Sequence, residues 1–460
     1  MEQIAYHLIF PLTGVDRAYY FSFARNFSVG IFAAIAYGIL LHRALAGKST
    51  CRIQPHVMRR ALVVLVVCVA GFSIGYMEYR YGAAAFIKRS FSFGDVASTY
   101  FADEYRPVHP EDVVFPHGRN NLVLLILEST ESTANREGAP EEKLTPELDR
   151  IARENISFSR HMQTFGTDWS MAGLTSFVTG VPLIIPGMKQ AASGDLTDDF
   201  LPNLPTLLEI LEAHGYGIEF LQGGNALFAD QEKLFTTHSK RASIKDLRYF
   251  KDKLAGKPEY IDGWGVHDEE VFAEARECLV KNSGKEEGYA LIFLTIDTHG
   301  EYAESPRLER RWGDVRDNFL RLDRQAASFM EWLGKQDFAE QTTVVLLGDH
   351  LFRKAEMGPV ALPPPEKRGI YNAIVNSRAR PELPTEGRRF ASWDFAPTIL
   401  ESIGGVFPER RMGIGVSLFS KAPTLLESYG FETHEREIAA YSELYMSFYA
   451  AGFAKKLTRK

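Results

Sequence analysis

Four short polar clusters, each following an apolar run of strand length, carry the residue types in this chain that could do chemistry. Leu127 is followed by Glu128-Ser-Thr-Glu131, Leu221 by Gln222-Gly-Gly-Asn225, Ile296 by Asp297-Thr-His-Gly300 and Leu347 by Gly348-Asp-His350. A carboxylate, an Asp/His pair, a hydroxyl and a second histidine would together form an oxygen-rich divalent metal site with a nucleophile beside it. The hydroxyl comes from Thr164-Phe-Gly-Thr-Asp-Trp-Ser-Met-Ala-Gly173, where Gly166 permits a tight turn and Met171, Leu174, Phe177 and Val178 recur at helical spacing. This places Ser170 or Thr167 near a helix N-terminus, whose unpaired N–H groups and dipole favour an anion such as phosphate. A serine hydroxyl attacks poorly near neutral pH unless a metal or a base activates it, so the clusters need one another. Taken singly each has a plain alternative: Ser170 or Thr167 as a helix cap, Glu128 as a solvated strand end, Asp349 and His350 as a turn pair.

The elements that would bring these clusters together are legible as a pattern. Asn121–Leu127, Ile218–Leu221, Ala290–Ile296, Thr343–Leu347 and Tyr371–Val375 read as buried strands, and Leu204–His214, Asp268–Lys281, Val315–Leu333 and Trp393–Ile403 as amphipathic helices between them. Continuous apolar strands alternating with helices predict an α/β fold with a mostly parallel sheet covered by helices on both faces. In such sheets ligands bind beyond the carboxyl ends of the strands, where all four clusters fall.

Ahead of this domain the composition changes. Phe27 to Leu41 and Ala61 to Tyr76 are uncharged apolar runs, extendable to transmembrane helices near 27–45 and 60–78. Between them lie Arg43, Lys48, Arg52, Arg59 and Arg60, which the positive-inside rule puts in the cytoplasm and which thereby put the larger domain outside. The reading is a membrane anchor over 1–81, a juxtamembrane linker over 82–118, a catalytic domain over 119–425 and a tail over 426–460. Of three cysteines only Cys278 falls in the outer domain, so no internal bridge is available to it. The net charge of −7 carries no basic face for nucleic acid.

Glu128 after its strand, Gly166-Thr-Asp-Trp-Ser-Met-Ala-Gly173, Gly348-Asp-His350 and Ser392-Trp-Asp-Phe-Ala-Pro-Thr-Ile-Leu400 with Gly404 resemble the sulfatase/alkaline-phosphatase superfamily. Within it the chain resembles the lipoteichoic acid synthase family of phosphoglycerol transferases. The branch acting on periplasmic glucans is nearest, through Gly180-Val-Pro-Leu183, Gln222-Gly-Gly-Asn-Ala-Leu-Phe-Ala229, Trp264-Gly-Val-His-Asp268 and Asp297-Thr-His299. The resemblance implies a sulfatase-like (alkaline-phosphatase-type) fold and a single divalent ion, Mn²⁺ ahead of Zn²⁺ or Mg²⁺, on Glu128, Ser170, Asp349 and His350. It makes Ser170 the nucleophile, with Thr167 as rival because relatives carry threonine at the position of Ser170. His299, Gln222 and Asn225 would bind the head group. Gln222, Ala229 and Gln231 stand where Gram-positive synthases carry His, Trp and Arg, which argues against a lipoteichoic acid polymerase.

The implied donor is phosphatidylglycerol and the acceptor a periplasmic glucan or surface glycan, with the catalytic domain on the extracytoplasmic side of a bacterial inner membrane. Phosphoethanolamine transfer on the same fold goes with a disulfide-rich domain that this chain lacks. A sulfatase proper needs a Cys/Ser-x-Pro-x-Arg context, whereas Gly173 and Leu174 follow Ser170 here. A membrane-tethered module that binds glycans or lipids without turnover is the remaining alternative. Trp264, Asp268 and Asp394 read as structural residues, and Arg353 with Lys354 as a solvated pair.

Overall fold

A computed structural model of the 460-residue chain describes residues 96–132, 144–186, 197–255, 265–283, 287–299, 315–352 and 367–450, with single positions 6, 60, 64 and 71. The chain divides into two compact units, one of Met1 and Val15–Phe91, the other of Glu2–Gly14 and Ser92–Lys460. The expected segments near 27–45 and 60–78 lie outside the described residues, apart from positions 60, 64 and 71, as do Trp264, Arg353 and Lys354. Among the described residues no helix is long and apolar enough to cross a membrane.

The apolar runs, joined by the short strand Ser243–Lys245, form the main sheet: β1 Asn121–Leu127, β2 Tyr216–Gln222, β3 Ser243–Lys245, β4 Gly288–Leu294, β5 Thr342–Gly348 and β6 Asn372–Val375. Their spatial order is β3-β2-β4-β1-β5-β6. All pairs are parallel except β5 with β6, which is antiparallel at the sheet edge. The period-2 alternation of a strand covered on both faces explains why β1 is apolar from Leu122 onward. Leu122, Leu124 and Ile126 enter one core and Val123, Leu125 and Leu127 the other. The first core is closed by helices Ser170–Thr179, Leu207–Ala213 and Phe395–Ser402, the second by Pro146–Glu154, Asp268–Asn282 and Val315–Leu333.

In register, Ile126 pairs with Leu294 of β4 and with Leu347 of β5, and Gln222 of β2 pairs with Leu294 from the other side. The polar residues after β1, β2, β4 and β5 therefore share one edge. A buried ion pair, Arg368 on Glu131, braces that edge, with Phe352 N–H donating to Glu131 Oε1 at 2.7 Å.

From Val96 onward the stretch expected as a linker adds to the domain itself. Ser98 N–H donates to Tyr441 O, Arg106 N–H to Gly413 O and Val114 N–H to Val406 O, and Val108 and Val113 are buried. The tail likewise packs as helices Leu425–Tyr429, Phe431–Ile438 and Glu443–Ser447, burying Leu425, Ile438, Tyr445 and Tyr449.

Candidate active site

Glu128 leaves β1 and is held from below: its N–H donates to Thr295 Oγ1 at 3.0 Å, and its carbonyl accepts from Thr298 Oγ1 at 2.6 Å and Thr130 Oγ1 at 3.1 Å. Ser129 follows at φ 54°, a left-handed conformation that costs a non-glycine residue about 1–3 kcal/mol. The strain has a visible use. Ser129 Oγ donates to Glu128 Oε1 at 2.7 Å and Ser129 N–H to Asp349 Oδ1 at 2.7 Å, so one residue aims two carboxylates. Asp349 and His350 come off the adjacent β5, and His350 Nε2 lies 3.4 Å from Glu128 Oε1 and 3.5 Å from Asp349 Oδ2.

Ser170 is the first residue of its helix, and its Oγ donates to Glu128 Oε2 at 2.9 Å. Two glycines permit this placement. Gly166, at φ +75°, turns the chain ahead of the helix and accepts from Leu183 N–H at 3.0 Å. Gly173, one turn into the helix, faces Asp349 so closely that a Cβ there would sit 2.6 Å from the Asp349 carbonyl oxygen. Gly173→Ala must push the Ser170 helix off the β5 end. We expect a loss of about 1–3 kcal/mol in unfolding free energy together with weakened divalent metal binding, read by chemical denaturation and titration calorimetry; unchanged metal affinity in a destabilised variant would refute the link.

Thr167 sits differently. Its Oγ1 donates to Thr164 O at 2.8 Å and accepts from Thr164 N–H at 3.0 Å, and it is fully buried. Its hydroxyl is engaged in closing the turn, whereas that of Ser170 faces the carboxylates.

Glu128, Asp349 and His350 offer three ligand atoms within 4.8 Å of one another, all buried. Their surroundings fit a divalent cation. Asp349 Oδ2 is buried with no hydrogen-bond partner among the described residues. His350 Nδ1 donates to Leu351 O at 3.0 Å, which turns Nε2 toward the two carboxylates as a metal-binding imidazole requires. Two carboxylates and one imidazole suit Mn²⁺, Zn²⁺ or Mg²⁺.

Without the ion, the protons bound here reflect crowding of like charge. Burial, which alone would raise the Glu128 carboxyl, is outweighed by His299, by His350 and by the Ser129 hydroxyl, so it stays well below the usual carboxylate range. Burial and then the Glu128 charge push Asp349 up to about 7. The His350 imidazole, which burial would lower, is raised to about 10 by Asp349 and Glu128.

His299 is half-buried after β4, its N–H donating to Ile296 O at 3.0 Å, near enough for its charge to act on Glu128. Gln222 ends β2, buried, with no partner for its Nε2 among the described residues; the buried Trp169 indole N–H, next to Ser170, also has none. Asn225 Oδ1 accepts from Leu227 N–H at 3.0 Å and shapes its own loop. The ring of supporting hydroxyls, Ser129, Thr295 and Thr298, escaped the sequence reading, because isolated Ser and Thr after strands carry no distinguishing pattern. Asp268 holds backbone: its oxygens accept from Ile296 N–H at 2.7 Å and Asp297 N–H at 3.2 Å. Asp394 does too, accepting from Ala391 N–H at 2.9 Å and Val416 N–H at 2.8 Å.

Phosphoglycerol transferase I of Escherichia fergusonii is 29% identical to the chain over 318 residues, covering 66% of it and 40% of that protein. The protein of the same name from Salmonella typhi is 28% identical over the same shares. The chain thus spans about 40% of the length of the curated relatives it matches. Among solved structures, an alkaline phosphatase superfamily protein from Vibrio parahaemolyticus aligns with a TM-score of 0.55 at 21% identity, covering 74% of this chain and 82% of that one. A lipoteichoic acid synthase from Listeria monocytogenes aligns with a TM-score of 0.51 at 16% identity, covering 70% and 82%. At these identities the structural likeness concerns the fold, which is the alkaline-phosphatase-type α/β arrangement described above. The sulfatase family model matches residues 120–402, a span that begins just before β1, takes in Glu128, Ser170, Asp349 and His350, and ends with the helix Phe395–Ser402, and the chain belongs to the sulfatase family.

Proposed function

We propose that the chain is a metal-dependent phosphoglycerol transferase that takes glycerol phosphate from phosphatidylglycerol and passes it, through a covalent Ser170 intermediate, to a periplasmic or cell-surface glycan. The observation carrying this reading is the Ser170 hydroxyl, at a helix N-terminus, 2.9 Å from a carboxylate of the buried Glu128/Asp349/His350 group. The similarity to proteins named phosphoglycerol transferase I supports the choice of transferred group.

Glu128, Asp349 and His350 would hold the divalent ion, with Mn²⁺ the preferred species. When bound, such an ion lowers the pKa of a neighbouring hydroxyl and offsets charge on a phosphoryl oxygen. Ser170 Oγ forms the new bond to phosphorus as the bond to the diacylglycerol oxygen breaks, and diacylglycerol leaves with a proton. The acceptor hydroxyl then displaces serine by the same chemistry in reverse. His299 orients the glycerol phosphate or carries the proton. The unpartnered N–H donors of Gln222 and Trp169 supply contacts for an anionic or hydroxylated head group.

The apolar runs near 27–45 and 60–78 anchor the chain in the inner membrane, with the catalytic domain outside. Anchoring confines enzyme and lipid donor to two dimensions and raises their effective concentration. The test is incubation of the purified full chain with fluorescent phosphatidylglycerol and Mn²⁺. Diacylglycerol release is expected, and release from phosphatidylethanolamine instead would move the assignment to phosphoethanolamine transfer. No release from either lipid would leave the binding module.

A further inference from the structure

Tyr6 precedes both apolar runs by sequence, yet it is 1% exposed within the core of the catalytic unit. Its hydroxyl donates to Asp230 Oδ2 at 2.6 Å, and its ring packs on Trp169 at 5.6 Å between centroids, tilted by 58°. These two partners belong to different walls of the site. Trp169 is the N-cap residue of the Ser170 helix, and Asp230 ends the loop that begins with Gln222 and Asn225.

That loop needs holding. Ala229 at φ 56° and Asp230 at φ 57° are consecutive non-glycine residues in the left-handed region, and such strain persists only where surrounding contacts over-determine it. Asp230 is buried, and Lys233 Nζ at 3.1 Å from Oδ1 leaves Oδ2 to the Tyr6 hydroxyl. Burial and then the Asp230 charge hold the Tyr6 phenol well above its ordinary range, so it remains a donor.

We propose that Tyr6 is a positioning residue that clamps the head-group loop to the nucleophile helix, making a residue that precedes the membrane runs by sequence part of the active site. The proposal rests on the reading of Ser170 as the group that receives glycerol phosphate. It carries a topological consequence that does not. Residue 6 and the catalytic domain lie on one side of the bilayer.

Two measurements on the full chain test it. In right-side-out spheroplasts a membrane-impermeant maleimide labels Glu2→Cys without permeabilisation, whereas Cys51, expected in the cytoplasmic loop, is labelled only after it; protection of Glu2→Cys until permeabilisation overturns the proposal. In the transfer assay, Tyr6→Phe and Asp230→Asn each raise the KM for phosphatidylglycerol about five- to tenfold with kcat within about twofold, and the double variant is no worse than either single one. Independent, additive effects, or a fall in kcat with KM unchanged, also overturn it. If the wild type releases no diacylglycerol, the functional reading fails. The labelling and the coupling of the two substitutions in thermal unfolding then still judge the clamp.

Discussion

Ser170→Ala is expected to remove diacylglycerol release almost entirely, lowering kcat/KM by about four to six orders of magnitude, the range seen when a nucleophile is deleted. The side chain is half-buried and its loss leaves the turn, the helix and both carboxylates in place, so the folded state should survive. Ser170→Thr keeps the hydroxyl and should retain turnover, since the added methyl restricts χ1 without removing the reacting atom. Thr167→Val behaves oppositely. It deletes a donor and an acceptor that close the Thr164 turn, which lowers unfolding free energy by about 1–3 kcal/mol, while a folded fraction still turns over. Mass spectrometry of protein quenched with donor but no acceptor should find the glycerophosphoryl group on the peptide containing Ser170. Activity that persists in Ser170→Ala and disappears in folded Thr167→Val would transfer the role to Thr167.

Metal removal is expected to change both the stability of the protein and its pH dependence. Asp349 has a folded pKa of about 7 against 3.8 unfolded, so the native state keeps a proton the unfolded chain gives up, and metal-free stability falls as pH rises from about 4 to 7. His350, at about 10 against 6.5, contributes stability that is fully present below pH 6.5 and is lost as pH rises toward 10. Glu128 works in the other direction, its contribution being lost as pH falls below 4.5. The EDTA-treated chain should therefore melt at progressively lower temperature from pH 5 to pH 9. A bound cation replaces those protons, and at a concentration 100 times Kd restores about 2.7 kcal/mol. Asp349→Asn relieves a buried like-charge contact, so above pH 7 its metal-free form should be more stable than metal-free wild type while Mn²⁺ no longer raises its melting point. Circular-dichroism melts with and without Mn²⁺ read both effects. A metal-free wild type that gains stability between pH 5 and 8, or an Asn variant stabilised by Mn²⁺ as strongly as wild type, would falsify the assignment of these residues as the ion's ligands.

Much of this architecture was legible because it depends on long apolar runs. Asn121–Leu127 and Val315–Leu333 begin and end in the structure where the sequence pattern places them, and Asp268–Lys281 extends by one residue. Tyr371–Val375 was legible as a strand but not in direction, since an antiparallel edge strand has the same composition as a parallel one. Ser243–Lys245 was not legible at all: three residues with a serine and a lysine bury too little to leave a pattern. At the site, the grouping of Glu128 with Asp349 and His350 follows from the rule that clusters after parallel strands share one edge. Which of the Ser170 and Thr167 hydroxyls faces that group could not be read that way, because it depends on which hydroxyl the Gly166 turn consumes. Nor could the role of Ser129, whose backbone angle no composition announces.

Tyr6, Trp169, Ile184, Tyr445 and Tyr449 belong to one core. Tyr445 Oη donates to Pro182 O at 2.6 Å and Tyr449 Oη to Ile184 O at 3.0 Å, on either side of Leu183, which is bonded to the Gly166 turn. The ordering of events during synthesis follows from this closure. The seat of the Ser170 helix is complete only when residues near both ends of the described chain have met, a contact of very high sequence separation that forms late. A chain whose tail is still emerging from the ribosome already has Glu128, Asp349, His350 and Ser170 in hand but not the packing that seats them together.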